Sequence, residues 1–135
     1  FPKQAEQAQQ VYNQLSEKAK KNVYFDLLGS DLRSFIAIAN ECDLILGNDG
    51  GAINMTKALG KKSFIIFSPW IDKKVWATFE DGILHTSVHL KDYFPEKFDG
   101  LNNKQIKKQV DEYYSMFDFE LFKDKLSTFL NQYIK

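Results

Sequence analysis

The stretch 43–60, DLILGNDGGAINMTKALG, decides the fold. Asp43 to Leu46 is short and apolar, a strand bound for the interior rather than a surface helix. Asn48 and the Gly50-Gly51 pair supply the backbone freedom of a sharp turn out of a strand. The residues after them are helix formers, with Ile53, Thr56 and Gly60 along one side. Gly60 stands where a helix stops. Strand, glycine turn and helix in that order leave backbone N–H groups free at a helix start. With no side chain on Gly50 or Gly51, a phosphate can come close to them. A plain tight turn in an α/β domain has the same residue pattern.

Outward from this stretch the same alternation continues. Ser63-Phe64-Ile65-Ile66-Phe67 is a second apolar strand, ended by Ser68-Pro69-Trp70. Val23 to Leu28 reads as an earlier strand closed by Gly29-Ser30. Between them Asp31 or Ser30 caps a helix over Leu32–Glu41, with Leu32, Phe35, Ile36 and Ala39 inward. Apolar strands separated by amphipathic helices predict a parallel sheet covered on both faces. Ala5 to Lys20 carries a helical stripe of Ala5, Ala8, Val11, Tyr12, Leu15 and Ala19. Beyond Trp70 the spacing predicts a short helix over Lys73–Ala77 and a strand over Ile83–Leu90. A loop over Lys91–Asn103 follows, then a helix over Lys104–Tyr114 with Ile106, Val110, Tyr113 and Tyr114 on an inward stripe. The last helix is capped by Asp118, with Phe119, Phe122, Leu126, Phe129, Leu130 and Tyr133 inward.

With 135 residues, 44% hydrophobic, the chain is long enough for one domain with a real core, and 1–135 reads as that domain. Eighteen basic residues balance eighteen acidic ones. That balance argues against bulk electrostatic binding of nucleic acid or an anionic membrane. The single cysteine, Cys42, precludes an internal disulfide. No apolar run is long enough for a transmembrane segment, and no secretory signal is visible at the start. His85 and His89 would share a strand face roughly 13 Å apart, too far for one metal ion. Gly60-Lys61-Lys62-Ser63 resembles a nucleotide P-loop superficially. Met55 occupies the position of its first glycine, and Gly60 closes a helix instead of opening one. The G-x-G-x-x-G spacing, the G-x-S-x-G elbow and any D-x-D pair are absent.

Leu44 to Gly60, followed by Phe64-Ile65-Ile66-Phe67-Ser68-Pro69-Trp70, resembles the signature of family nine glycosyltransferases, the lipopolysaccharide heptosyltransferases and their relatives. In that family the strand ends in Asp, a hydroxyl residue and Gly, with a His three residues on, and the helix ends in Ala-Leu-Gly. Asp49, Gly51 and Ala58-Leu59-Gly60 match. Gly50 replaces the hydroxyl residue, Asn54 the His, and Ser68 the turn glycine. The resemblance runs from about Asn22 to Trp70.

It implies a Rossmann-like parallel sheet with helices on both faces. That is the C-terminal, donor-binding half of a two-domain GT-B enzyme, truncated at its start. The family's catalytic base would lie in the missing half, so no catalytic residue is assigned here and the chain alone is expected to be inactive. The helices over 104–135 are free to pack on that half, on their own sheet or on a second subunit. The donor is a nucleoside diphosphate sugar carrying a heptose-like sugar. The acceptor is a lipopolysaccharide or other cell-surface glycan, or a lipid-linked one, held by the missing domain. Asn48, Asp49, Gly50, Gly51, Ala52 and Asn54 would serve the phosphates and sugar, with Lys57 as a further phosphate candidate that also reads as a surface residue. Ser30, Asp31 and Glu6, with Gln4 beside it, would lie on the nucleoside side. No metal, cofactor or nucleic acid is called for. The location implied is cytoplasmic, peripheral at the inner membrane. A nucleotide-sugar epimerase of the same fold, and a non-catalytic nucleotide-sugar binding module, are the alternative readings.

Overall fold

The computed structural model describes residues 4–27 and 29–134. Contacts divide the chain into two compact units, one up to Glu41 and one from Cys42.

The first unit is helical. Where one helix was expected over 5–20 there are two, α1 (Ala5–Gln14) and α2 (Glu17–Lys20). Leu15 and Ser16 are extended, and the Ser16 hydroxyl accepts the N–H of Ala19 at 3.2 Å. A serine that bonds its own backbone in this way starts a new helix instead of continuing the old one. The expected stripe is not buried: Val11 is 62% exposed, and Tyr12 meets Phe25 with ring centroids 5.3 Å apart. The strand expected over Val23–Leu28 is not formed among the described residues, and Leu28 lies outside them. Val23 to Leu27 runs through turns, Leu27 N–H bonding back to the Tyr24 carbonyl. A strand needs a partner ladder for its backbone groups, and this run has none. Helix α3 (Leu32–Glu41) is where the sequence put it, with Ala39 buried and Phe35 and Ile36 half-buried. Leu32, expected inward, is 53% exposed.

The second unit is an α/β arrangement on a three-stranded parallel sheet, ordered β1 (Leu44–Asn48), β2 (Lys62–Ile66), β3 (His85–Val88). Leu46 lies opposite Phe64, and Phe64 opposite Thr86. The strands alternate their side chains between two faces. On one face Phe64 and Val88 pack against Phe122 and Phe129. On the other, Ile65 and Phe67 pack against Ile53 of α4 (Gly51–Ala58). Helices therefore cover both faces of the sheet.

Helix α4 ends in a Schellman closure. Gly60 N–H reaches the Lys57 carbonyl at 2.9 Å and Lys61 N–H the Thr56 carbonyl at 3.1 Å, with Gly60 at φ 70°. The β2–β3 connection carries the short helix α5 (Lys73–Trp76).

After β3 the loop over 91–103 holds two 3₁₀ turns. The helix expected over 104–114 is α6 (Asn103–Lys108) and α7 (Val110–Met116), broken at Gln109. Tyr114, expected on the inward stripe, is 51% exposed, while Tyr113 is buried. Asp118 caps a 3₁₀ turn at Phe119–Leu121 rather than the last helix itself, α8 (Lys123–Tyr133). Phe119 is half exposed, but Phe122 and Phe129 lie on the sheet. No helix among the described residues is long and apolar enough to cross a membrane.

Two substitutions test this packing. A Cβ at Gly60 meets no atom within 4 Å, so Gly60→Ala carries only the left-handed backbone penalty. It should lower unfolding stability by about 1 kcal/mol, read as a urea midpoint shift at unchanged slope. Phe129→Ala empties a buried aromatic site between α8 and the sheet and should cost about 3–5 kcal/mol in the same titration.

Candidate functional site

The glycine turn stands at the carboxyl end of β1. Asn48 is the last residue of the strand and is exposed. Asp49 donates its N–H to the Ile66 carbonyl at 3.2 Å, which ties the turn to the end of β2. Gly50 is extended, at φ 159° and ψ −178°, and its carbonyl accepts the N–H of Asn54 at 3.1 Å. It is therefore the N-cap of α4, and being glycine it has no side chain with which to cap the first turn. The N–H groups of Gly51, Ala52 and Ile53 are left at the positive end of an eight-residue helix. A Cβ placed on Gly50 or Gly51 meets no atom within 4 Å. The approach to these donors is open, and internal packing does not explain the two glycines.

Burial pushes the Asp49 carboxyl above its ordinary value, opposed by the Lys57 charge and by the Gly50 N–H. Lys57 does not behave as either candidate role required. It is only 8% exposed, and its Nζ donates to the Thr78 carbonyl at 3.0 Å. This cation crosses the unit internally instead of reaching out to a ligand.

Asn54 stands one helical turn on, its N–H on the Gly50 carbonyl. It lines a hollow of about 430 Å³ with Lys57, Ala58, Thr78, Phe79 and His85. Phe79 there holds φ 61°, a left-handed conformation uncommon for a residue with a side chain. The nucleoside-side candidates Glu6, Ser30 and Asp31 belong to the first unit. Glu6 sits exposed in the first turn of α1. Asp31 accepts the N–H of Ser34 at 2.8 Å, which holds its carboxyl below the usual value, and it also accepts the Ser34 hydroxyl. Ser30 Oγ lies 3.4 Å from Ser34 Oγ. Both residues are thus engaged at the start of α3.

The two histidines are used separately. His85 Nδ1 meets the Ser63 hydroxyl at 2.9 Å across the β2–β3 pair. His89 follows β3, accepts the Lys91 N–H on Nδ1 at 2.9 Å, and donates its own N–H to Asp92. Sequence reasoning weighed His89 only as half of a metal pair. Its burial, 3% exposed, comes from elements distant in sequence that no local pattern registers. Among the described residues no three His, Cys, Asp or Glu side chains gather as a metal site.

The chain matches no protein-family model, no curated protein and no solved structure.

Burial pushes both histidines below the ordinary 6.5. The unfolded chain takes up protons as pH falls through 6.5, while the folded chain holds off until lower pH. Their contribution to stability is therefore complete above 6.5 and is lost as pH falls below it. Denaturation midpoints should drop between about pH 7.5 and about pH 5.5, and His89→Gln should flatten the dependence. An unchanged slope in that variant would show that His89 does not carry it.

Proposed function

We propose that this chain is the donor-binding part of a metal-independent glycosyltransferase, one that takes a sugar from a nucleoside diphosphate. The observation that carries the reading is the uncapped, unobstructed start of α4 at the carboxyl end of a parallel strand. Open α/β sheets bind ligands at that edge. Free N–H groups at a helix start stabilise phosphate charge, both bound and departing. In an inverting transfer an acceptor hydroxyl attacks the anomeric carbon and the nucleoside diphosphate leaves with the bonding pair. The N–H groups of Gly51 and Ala52 would face its distal phosphate. Asp49, whose N–H is tied to the Ile66 carbonyl, sets the turn. The resemblance of Leu44–Gly60 to the family nine signature supplies the sugar and the diphosphate. The acceptor and the catalytic base belong to a partner domain in this reading.

A binding module without transfer is the second reading. Asn54, which stands at the family's histidine position, lines a hollow with Lys57 and His85.

Titration calorimetry of the full-length protein, and of this chain, against ADP, GDP and UDP in EDTA tests the proposal. Binding of at least one nucleotide without magnesium is expected, weaker for the chain alone. Gly51→Val should weaken it at least about tenfold, since a β-branched side chain there blocks the phosphate approach. Its unfolding midpoint should move little, because the space beside Gly51 is open. Metal-dependent binding, no binding, or unchanged affinity in the variant would each overturn the phosphate role.

A further inference from the structure

We propose that a second site, the cleft at the carboxyl ends of β2 and β3, binds a neutral polyhydroxylated molecule, a sugar ring being the simplest case. The cleft holds about 680 Å³, within the usual size for small-molecule sites. It is lined by the Pro69–Lys74 segment, by His89, Lys91 and Asp92 after β3, and by Phe98, Asn103 and Ile106. The proposal goes beyond the phosphate turn and does not rest on it.

Charge is the first argument. Three lysines, Lys73, Lys74 and Lys91, line the cleft beside three carboxylates, Asp72, Glu80 and Asp92. Lys73 and Asp92 are already paired at 2.8 Å. Such a lining supplies donors and acceptors without a net field, so it does not select an anion. Trp70, Phe98 and Ile106 add an apolar wall that suits the C–H face of a ring.

The second argument is an unsatisfied donor. His89 Nδ1 accepts the Lys91 N–H, so the neutral ring carries its proton on Nε2. Burial favours that neutral form. Nε2 is buried and has no hydrogen-bond partner among the described residues. A buried donor left unpaired is costly and calls for an explanation. The carbonyls of Ile71 and Pro69 lie close enough to the ring to oppose the effect of burial, though neither meets hydrogen-bond geometry at Nε2. All three residues line the cleft. A hydroxyl group can accept from Nε2–H and donate to one of these carbonyls. A carboxylate or a phosphodiester, which has no O–H, can do only the first.

The test follows the ¹H–¹⁵N spectrum of this chain, including the Trp70 indole, during titration with glucose, galactose, mannose or N-acetylglucosamine. Saturable shifts at Trp70, Lys74, Lys91 and Asn103 are expected with at least one sugar. His89→Phe keeps a ring but removes the donor and should weaken binding by up to about tenfold. Because His89 also caps its own turn, Asn103→Ala provides a second variant. Asn103 is exposed and begins α6, whose cap is Asn102, so the fold should stand while affinity falls. No saturable shift with any sugar overturns the proposal. So does tighter binding of inorganic phosphate or glycine at the same residues, or unchanged affinity in both variants. ADP and UDP are read separately at the Gly51 and Ala52 amides, so a failure at the turn leaves the cleft result standing, and the reverse. A UDP-hexose that moves turn and cleft with one midpoint assigns the ring to a donor. Cleft shifts from a free hexose that persist when the turn is saturated with UDP-hexose assign it to a separate glycan.

Discussion

The second unit depends on the burial of β2 from both sides. Phe64, Ile65 and Phe67 are wholly inaccessible, and each belongs to a packed cluster. Phe64 points to Phe122 and to Phe129 of α8, while Ile65 and Phe67 point to Ile53 of α4. A central strand of this kind has no solvent face, so it needs ladders on both edges and helices on both surfaces. Its two partners run parallel to it, which forces each connection to cross back over the sheet. One crossover carries α4 and the other carries α5.

That constraint places the functional features. In a parallel sheet every strand ends at the same edge, so the segments leaving β1, β2 and β3 emerge together. The glycine turn leaves β1, the Ser68-Pro69-Trp70 segment leaves β2, and His89 leaves β3. The Asp49 N–H bonded to the Ile66 carbonyl fixes the first of these against the second. The turn offers backbone donors at a helix start. The cleft offers balanced side-chain charges, an apolar wall and one unpaired imidazole donor. These are different chemistries on one edge, suited to different parts of a ligand or to two ligands.

Much of the second unit was legible in sequence. The apolar runs at 43–46 and 63–67, the glycine turn, the α4 stop at Gly60 and the short helix at Lys73 each rest on local signals, and all are present. The breaks were less legible. Ser16 divides α1 from α2 by bonding its own backbone, and Gln109 divides α6 from α7 by leaving helical geometry, though the apolar stripe runs on through both. Val23 to Leu27 has the composition of a strand but no strand partner among the described residues. Whether a run becomes a strand is decided by its neighbour, which composition does not record. The site candidates divide in the same way. Asn48 to Ala52 form one turn because they are consecutive. Asn54 lines a hollow with Lys57 and His85, and Glu6, Ser30 and Asp31 fall in the first unit.

The sequence by itself determined the strand–turn–helix at 43–60 and the parallel α/β character, because glycine freedom, helix stops and hydrophobic period are local properties. Only the tertiary structure decided that Lys57 turns inward to the Thr78 carbonyl. It also decided that Phe122 and Phe129 close the sheet, and that His89 is buried in the lining of a cleft with one nitrogen unpaired among the described residues. Each of these depends on a contact between residues far apart in the chain, where packing and hydrogen-bond partners are set by the fold as a whole.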